Sequence, residues 1–458
     1  MSPTPPPTAL AAALACWKPL RYVPEQARFW RCLSSTRFNV GTAGRRSGKT
    51  CLAKRHLALS AMQPVRPHAM YFAAGPTRPF AKAVFWDDLK AMLGPAIRGK
   101  PNETELEIKL KVGSTICVRS LDEPSRIEGV PWSGGLVTEC ADIKRDAWWQ
   151  HVRPSLDTEF NDGGPPGWCC LEGTPSGCTW YHADLVLKIQ SGELPAATWA
   201  HHTWLSSAVL SPEAIMEAKR SLPPELYEQE YEGKFISFAG RAIYNFDAAL
   251  NCQPLVYDPK APLLLGFDWN VDPGTAVVMQ EYPFGTGVVD EVWIPRNSNT
   301  EAVCHVLMER YGTHAGPVEL YGDATGGARH TSQTMGSDID IARRELKFTG
   351  GVAIKFPAAN PSERARVNAL NARCLNGLGE RQFYVDGAKC PQVVLDLSNV
   401  GVVEGGSGQI DKKADVRRGH LLDCVSYVVE ARHPIAGLPT AKFSAEGYVI
   451  TGAGAFAR

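Results

Sequence analysis

Two sets of residues in this 458-residue chain have the types and spacing that phosphate chemistry requires. The first is the glycine-rich segment FNVGTAGRRSGKT at residues 38–50, which follows a short apolar run and precedes the helix-like segment CLAKRHLALSAM. A strand, a glycine-rich turn and a helix in this order form the context of a phosphate-binding loop. The segment therefore predicts a nucleotide site near the start of the chain.

The polar groups of this segment have distinct expected roles. In a phosphate-binding loop the Lys49 ammonium reaches the β- and γ-phosphates, and the Thr50 hydroxyl ligates Mg²⁺. Backbone N–H groups of the turn and the positive end of the following helix hold the phosphate oxygens. We therefore expect ATP with Mg²⁺ to contact Gly44, Arg45, Arg46, Ser47, Gly48, Lys49 and Thr50.

Ala43 departs from the usual loop, which has a glycine at this position. Alanine is the next smallest residue, and Gly44 and Gly48 keep the backbone of the loop permissive. The competing interpretation is an ordinary turn followed by a helix start. The sequence favours nucleotide binding, because the Gly-Lys-Thr ending stands at the required place.

The second set consists of three aspartates that are far apart in sequence. Asp268 ends the apolar segment LLLGFD, Asp323 ends VELYGD, and Asp423 lies in the first turns of the last helix-like segment, next to His420. A single aspartate in such a place is commonly a turn or cap residue. Three of them, on elements that an RNase H-like fold brings to one edge, favour a site for two Mg²⁺ or Mn²⁺ ions. Asp272 is a candidate fourth ligand.

The elements that must position these groups alternate along the chain. In the first half, buried strand segments such as HAMYFAAG and GGLVTECAD alternate with helical segments. This order predicts a mainly parallel α/β sheet with its ligands at the carboxyl ends of the strands. The segment ELEIKLKVGSTICVRSL alternates around a Gly-Ser turn and predicts a hairpin. In the second half, three meandering strands and then alternating helices and strands are typical of an RNase H-like nuclease fold.

These patterns divide the chain into five segments. We expect a disordered lead-in at residues 1–20 and a P-loop ATPase domain of the RecA/ASCE-like α/β class at residues 21–240. A linker at 241–255 would join it to an RNase H-like nuclease domain at 256–435, and 436–458 would form a tail.

The composition narrows the range of partners and compartments. Lys plus Arg equals Asp plus Glu, at 48 residues each, so the bulk charge indicates no tight, unselective binding to nucleic acid. A local basic groove remains compatible with DNA. No apolar run reaches the length of a membrane span, which predicts no membrane partner. The 13 cysteines lack framework spacing and favour a reducing cytoplasm.

The order of these motifs resembles the large terminase subunit of tailed bacteriophages, a family of DNA-packaging motor proteins. The resemblance covers nearly the whole chain and is carried by segments that include YVPEQARFW, AGRRSGKT, SRIEGVPWSGGLVTECAD, LEGTPSG, GFDWNVDPGTAVV and GHLLDCVSYVV. It implies that Gln26 reads the base, that Glu139 polarises the attacking water and that Thr174 senses hydrolysis. It also implies that Arg126 acts in trans on the nucleotide of a neighbouring subunit, and Arg45 and Arg46 of the loop are the competing candidates for this role in cis.

The same resemblance implies the function and the partners. The chain would couple ATP hydrolysis to the translocation of double-stranded DNA into a procapsid and would cut the DNA at a two-metal endonuclease site. Its partners would be DNA, the portal protein of the procapsid, a small terminase subunit and further copies of itself in a ring of five. The expected location is the cytoplasm of the host cell.

Thr138 departs from this family, whose Walker B strand usually ends in Asp-Glu. Here the pair is Thr138-Glu139. Because Thr138 is neutral, metal binding would depend more on Thr50 and the phosphates, and Asp142, a turn later, is a candidate to compensate. The departure bears on the rate of ATP hydrolysis rather than on the identity of the site.

Two other classes of protein match part of these features. An ATP-dependent helicase–nuclease of DNA repair needs a second RecA-like domain, and the chain has no room for one before the nuclease segment begins. A catalytically weakened DNA-binding scaffold would explain Thr138. The intact Lys49, Glu139 and nuclease aspartates oppose that interpretation.

Overall fold

The computed structural model describes most of the chain. The described residues are 9–15, 17, 22–158, 160, 164–176, 179–236, 240–269, 272–324, 337–403, 410–411, 415 and 417–435. The predicted tail lies outside them, as does the predicted lead-in apart from residues 9–15 and 17. The chain divides into two compact units: Met1–Ile215 with Glu228–Ser237, and Met216–Tyr227 with Phe238–Arg458.

A seven-stranded sheet forms the centre of the first unit. Its strands are β1 Phe38–Thr42, β2 Met70–Gly75, β3 Glu107–Lys109, β4 Thr115–Ser120, β5 Trp132–Thr138, β6 Trp168–Gly173 and β7 Trp199–His202. Their order is β3-β4-β2-β5-β6-β1-β7, and every neighbouring pair is parallel except β3 with β4. The predicted mainly parallel sheet is therefore present, with the carboxyl ends of β1, β5 and β6 at one edge.

Helices cover both faces of this sheet, which explains why its strands are continuous apolar runs. On one face, Leu52 and Leu57 pack with Leu136 and Cys170 of the strands. The opposite face has a second core. The helices are α1 Ala9–Ala15, α2 Pro24–Ser35, α3 Lys49–Met62, α4 Arg78–Ala81, α5 Asp87–Leu93, α6 Arg153–Ser155, α7 Leu187–Ser191, α8 Pro212–Ser221 and α9 Pro224–Glu232, where α8 and α9 cross the divisions between units.

Local sequence patterns predicted most elements of this unit. The hairpin is confirmed, because β3 and β4 are antiparallel with Glu107 opposite Cys117. The segment PFAKAVFWDDLKAML, which has apolar residues at helical spacing, forms α4 and α5 with a π-helical stretch at Lys82–Trp86 between them. The edge strand β7 was not predicted, since its four residues, WAHH, show no apolar alternation.

A six-stranded sheet forms the second unit. Its strands are β8 Leu263–Asp268, β9 Gly274–Tyr282, β10 Gly285–Ile294, β11 Val318–Tyr321, β12 Val352–Ile354 and β13 Phe383–Val385. The order is β12-β11-β8-β9-β10-β13. Strands β8, β9 and β10 form the predicted antiparallel meander, and β11 lies parallel to β8. This is the strand order on which the predicted acidic edge depends.

Six helices among the described residues pack on this second sheet. One core includes Leu264, Met279 and Val425, and the other includes Leu265, Val278 and Leu307. The helices are α10 Ala248–Asn251, α11 Thr300–Tyr311, α12 Asp338–Glu345, α13 Glu363–Cys374, α14 Pro391–Asn399 and α15 His420–Arg432. None of the described helices of either unit is long and apolar enough to cross a membrane.

The division between the units differs from the predicted boundary at residue 240. Residues 216–227, which the sequence assigned to the first domain, belong to the second unit. The reason is hydrogen bonding: the N–H of Gly377 donates to the carbonyls of Lys219 and Leu222, both at 2.9 Å. Asn376 Nδ2 also donates to the carbonyl of Arg220 at 3.2 Å. These long-range backbone contacts leave no signal in the local sequence.

Candidate functional sites

The glycine-rich loop lies between β1 and α3, as predicted. Gly48 has a φ of 85°, a left-handed conformation that favours glycine. Gly44 has no space for a side chain, because a Cβ there would come within 2.4 Å of the Tyr231 carbonyl oxygen. Ala43 is fully buried in the core. The two glycines are therefore needed where they stand, and the loop accommodates alanine at position 43.

Side chains from remote segments hold the loop in place. Gln26 of α2 donates from Nε2 to the Ser47 carbonyl at 2.7 Å, and its Oε1 accepts from the Val23 N–H at 3.1 Å. Trp204 Nε1 donates to the same Ser47 carbonyl at 3.0 Å. Gln26, which is expected to read the base, thus lies against the loop, and both polar atoms of its side-chain amide are hydrogen-bonded.

Arg45 is held by an ion pair within the first unit. Its guanidinium pairs with the buried Glu230, and its N–H donates to the Glu230 carbonyl at 2.6 Å. Burial lowers the pKa of Arg45, but the Glu230 carboxylate outweighs this and leaves the pKa raised. Arg46 is exposed, with a φ of 55°. Of the two loop arginines, Arg46 is therefore the one presented to solvent.

The loop retains donors that suit a phosphate. Among the described residues, no acceptor takes a hydrogen bond from the backbone N–H groups of Arg46, Gly48, Lys49 or Thr50. Four such N–H groups at the start of a helix form an anion-binding arrangement. The residues present therefore fit the triphosphate of a nucleotide.

Lys49 and Thr174 are in direct contact. The Lys49 ammonium donates to Thr174 Oγ1 at 3.0 Å, and both side chains are buried. Thr174 comes directly after β6, which lies beside β1 in parallel register. The lysine predicted to bind phosphate and the threonine predicted to sense hydrolysis thus share one hydrogen bond.

Glu139 comes directly after β5 and has an unusual environment. Its φ is 49°, a left-handed conformation that costs energy in a residue other than glycine. Burial raises the pKa of its carboxyl to about 7, with Lys49 opposing the rise and Glu172 adding to it. A carboxyl whose pKa lies near 7 suits a general base at neutral pH.

Thr138 has a partner that the sequence did not indicate. Its hydroxyl donates to Glu172 Oε1 at 2.5 Å, across the paired strands β5 and β6. Glu172 is fully buried, whereas Asp142, the residue expected to compensate for Thr138, is exposed. The only sequence signal for Glu172 was a charged residue inside an otherwise apolar strand.

Arg126 lies in a 3-10 turn, Pro124–Ile127, ahead of β5. Its side chain is 62% exposed and pairs with Glu123 at 2.6 Å, in a surface contact that stabilises little. An exposed guanidinium of this kind is accessible to another molecule. Its action in trans stays a prediction.

The acidic edge of the second unit begins with two adjacent strand ends. Strands β8 and β11 are parallel, with Gly266 opposite Tyr321. Asp268 and Asp323 each follow that pair by two residues, so they emerge at the same edge of the sheet. Trp269 Nε1 also donates to the Asp323 carbonyl at 3.4 Å.

Helix α15 brings the third aspartate to this edge. Asp423 is buried, and its Oδ1 accepts from Arg366 Nη1 at 2.7 Å. His420 Nδ1, on the same helix, lies 2.7 Å from Asp268 Oδ2. The start of the helix is fixed by the buried Asp396, which accepts from the N–H of Leu421 at 3.1 Å. Arg366 and Asp396 were not predicted, because each acts through contacts distant in sequence.

The donor set of this edge fits hard divalent cations, since it consists of carboxylate oxygens from three elements. The three aspartates do not form a group whose ligand atoms all lie within 4.8 Å; of the described residues, Glu301, His305 and Glu345 form such a group. Asp272, the candidate fourth ligand, is exposed and accepts from the Ser298 N–H at 3.4 Å.

Comparisons with known proteins find large terminases of bacteriophages among the proteins similar to this chain. No family model matches the chain. The chain is 24% identical over 261 residues to the large terminase subunit of Escherichia phage T5, and the match covers 55% of this chain and 57% of that relative. The matched part is thus less than two thirds of the relative's length.

Solved structures extend the similarity to most of the chain. The large terminase of a thermophilic bacteriophage in complex with ADP has a TM-score of 0.57 and 18% identity, over 90% of this chain and 99% of that chain. The same protein in complex with ATP-γ-S gives a TM-score of 0.57 and 16% identity over the same shares. At these identities the similarity demonstrates a shared fold. The resemblance to large terminase subunits is thereby confirmed: this chain has their fold, a P-loop α/β unit followed by an RNase H-like unit.

Proposed function

We propose that this chain is the motor subunit of a phage DNA-packaging machine. It hydrolyses ATP in the first unit, couples that hydrolysis to the translocation of double-stranded DNA into a procapsid, and cuts the DNA with a two-metal site in the second unit. The observation that carries the proposal is the hydrogen bond between Lys49 and Thr174, 3.0 Å long. This bond joins the phosphate-binding loop to the strand end that would report hydrolysis.

ATP hydrolysis needs few groups beyond those at this loop. The N–H groups of Arg46, Gly48, Lys49 and Thr50 would bind phosphate oxygens, and Thr50 would hold Mg²⁺, which neutralises charge on the phosphates. The Lys49 ammonium stabilises the charge that develops on the transferred phosphoryl group. Glu139 accepts a proton from the attacking water, for which its raised pKa suits it.

The link from hydrolysis to motion follows from the contacts of Lys49. We infer that the ammonium gives up its bond to Thr174 when it moves onto a γ-phosphate. Loss of the phosphate would restore the bond. The end of β6 would therefore alternate between two states, one with Thr174 bonded to Lys49 and one with Thr174 released. A two-state contact of this kind is what nucleotide-driven motion requires.

The acidic edge would supply the cutting activity. Asp268, Asp323 and Asp423 would hold two Mg²⁺ or Mn²⁺ ions, which activate water and stabilise the leaving oxygen. Arg366 and His420 hold one oxygen each of Asp423 and Asp268, and thereby fix the orientation of these carboxylates. The group Glu301, His305 and Glu345 lies on α11 and α12 and is not assigned to this activity.

The proposed activity requires other molecules besides this chain. They are double-stranded DNA, a portal protein on a procapsid, a small terminase subunit and copies of the chain in a ring, in the cytoplasm of a host cell. A ring is favoured by Arg126, whose exposed guanidinium could complete a neighbour's nucleotide site.

The test is packaging in vitro. Purified chain is mixed with procapsids, small subunit, ATP and linear DNA, and protection of the DNA from added nuclease is measured. Protection that requires ATP is expected. A Lys49→Ala variant serves as the matched control and should protect nothing. Strand separation by the chain, without protection, would support a helicase–nuclease and overturn the proposal.

A further inference from the structure

Glu172 is a buried carboxylate beside the nucleotide site that the mechanism above does not use. We propose that Glu172, together with Thr138, holds the water shell of the nucleotide-bound Mg²⁺ and so supplies the carboxylate that β5 lacks. The inference rests on the proposed ATPase function, and it names a positioning residue for that reaction. It explains how a strand ending in Thr-Glu retains a metal-binding role.

The two side chains lie on the face of the sheet that carries the phosphate-binding loop and its helix. Side chains alternate between the faces of a strand. Leu136 of β5 and Cys170 of β6 pack in the core formed with α3, so Thr138 and Glu172, two residues further along each strand, have the same orientation. The carboxylate of Glu172 is therefore on the side from which α3 and Lys49 approach the sheet.

The position along β6 is equally specific. Thr138 and Glu172 are register partners at the carboxyl end of adjacent parallel strands. Thr174, two residues beyond Glu172, already bonds Lys49 at 3.0 Å. The Glu172 charge also contributes to the raised pKa of Glu139. Its position along β6 and the effect of its charge on Glu139 thus both place Glu172 at the nucleotide site.

The two carboxylate oxygens of Glu172 differ in their contacts with the described residues. Glu172 is fully buried, and its Oε1 accepts from Thr138. Among the described residues, no group donates a hydrogen bond to Oε2. A buried carboxylate oxygen without a partner costs free energy, because it loses its hydration and gains nothing in exchange. A metal-bound water that donates to Oε2 would remove this cost.

The alternative is that Glu172 only anchors Thr138. That role needs one acceptor oxygen, which a glutamine or asparagine would supply without a buried charge. Of the two carboxylates that closely follow β5, Glu139 is assigned as the base, and the side chain of Asp142 is exposed. The chain therefore offers Glu172 as the buried carboxylate in register with Thr138.

The decisive experiment measures nucleotide binding rather than turnover. The Kd of a fluorescent ATP analogue is determined in excess EDTA and again in Mg²⁺, and the ratio of the two values is the coupling between metal and nucleotide. We expect Glu172→Gln to lower this ratio about tenfold while the Kd in EDTA stays unchanged. Gln still accepts from Thr138, and a thermal unfolding scan checks that the variant is folded.

A second variant moves the carboxylate back to β5. The double change Thr138→Asp with Glu172→Gln should restore the coupling to within about threefold of the parent. Thr138→Asp alone should unfold at a lower temperature, because it buries two carboxylates side by side. If Glu172→Gln is folded and keeps the parental ratio, Glu172 is an anchor only and the inference is wrong. The same holds if Asp142→Asn lowers the ratio and Glu172→Gln does not.

This inference and the proposed function fail in different ways. A parent chain that binds no ATP analogue in Mg²⁺ would contradict the ATPase function itself. A parent that binds with strong coupling, together with a Glu172→Gln variant of equal coupling, would contradict only the role of Glu172. If Glu172→Gln does not fold, the double variant Thr138→Asp with Glu172→Gln tests the inference. Parental coupling in the double variant would support a carboxylate at this place as a metal-positioning group, and lost coupling would contradict it.

Discussion

The two candidate sites of this chain solve opposite electrostatic problems. The nucleotide loop must attract an anion, and it does so with backbone N–H groups that no described residue accepts from and with the Lys49 ammonium, all from one continuous segment. The acidic edge must attract cations, and its carboxylates come from three separate elements. Arg366 contacts Asp423, and His420 contacts Asp268. In this chain the candidate anion site is therefore built from one segment, whereas the candidate cation site depends on distant segments to hold its like charges together.

The largest expected effect is the loss of ATP hydrolysis when Arg126, a cation from outside the nucleotide loop, is removed. Arg126→Ala keeps an intact nucleotide pocket, and Lys49→Ala keeps an intact Arg126. An arginine acting in trans contributes about 10³-fold or more to phosphoryl transfer, so each variant alone should be inactive on procapsids. A mixture of the two should regain part of the ATPase activity. An active Arg126→Ala variant, with no recovery in the mixture, would show that the cation comes from another residue and would remove the support for action in trans.

The next effect tests the base in the first site. Glu139→Gln should lower the rate of ATP hydrolysis by about 10²–10⁴-fold, because an amide cannot accept the proton of the attacking water. Binding of ATP should be retained, as measured by equilibrium dialysis. Plasmid cleavage serves as the control and should be unaffected. Hydrolysis at the parental rate would remove Glu139 from its assigned role.

The acidic edge is tested by neutralising one ligand at a time. Asp268→Asn, Asp323→Asn and Asp423→Asn should each reduce plasmid cleavage in Mg²⁺ or Mn²⁺ by at least about 10²-fold, because each removes an anionic ligand. The rate of ATP hydrolysis by each variant should stay at the parental value. Cleavage that persists in Asp268→Asn would exclude that residue from the metal site, and loss of both activities would indicate misfolding.

The ion pair between Arg366 and Asp423 tests how much the acidic edge contributes to the stability of the fold. Both side chains are buried, so Arg366→Met leaves an uncompensated charge and should cost about 3–5 kcal/mol of unfolding free energy. Urea unfolding measures this value. Arg310→Met is the matched control, since its pair with Asp290 is half exposed and should contribute at most about 1 kcal/mol. Equal costs for the two variants would contradict the structural role of Arg366.

The smallest effect is a pH dependence in the first site. Burial raises the pKa of the Glu139 carboxyl to about 7, and the base must be ionised to accept a proton. Between pH 5 and pH 7, kcat/KM for ATP should therefore rise about tenfold per pH unit and then level off. Binding of the ATP analogue over the same range is the control for unfolding. A profile that is flat down to pH 5 would show that Glu139 is not the titrating base.

The sequence determined the parts of this protein that are local. The loop that ends in Gly48-Lys49-Thr50, the β3–β4 hairpin and the β8–β10 meander each follow from residues within one segment. These elements depend on the conformational freedom of glycine and on the alternation of apolar residues, and both are visible in the sequence of a single segment. The three aspartates could also be placed, because a known strand order brings strand ends to one edge.

Only the tertiary structure decided the contacts between distant segments. It joined Lys49 to Thr174, and it placed Glu172 beside Thr138 through the register of two strands that are 34 residues apart. It also paired Arg366 with Asp423 and moved residues 216–227 into the second unit. The physical reason is that hydrogen bonds and buried charges act over a few ångströms of space, and packing alone determines which side chains come that close.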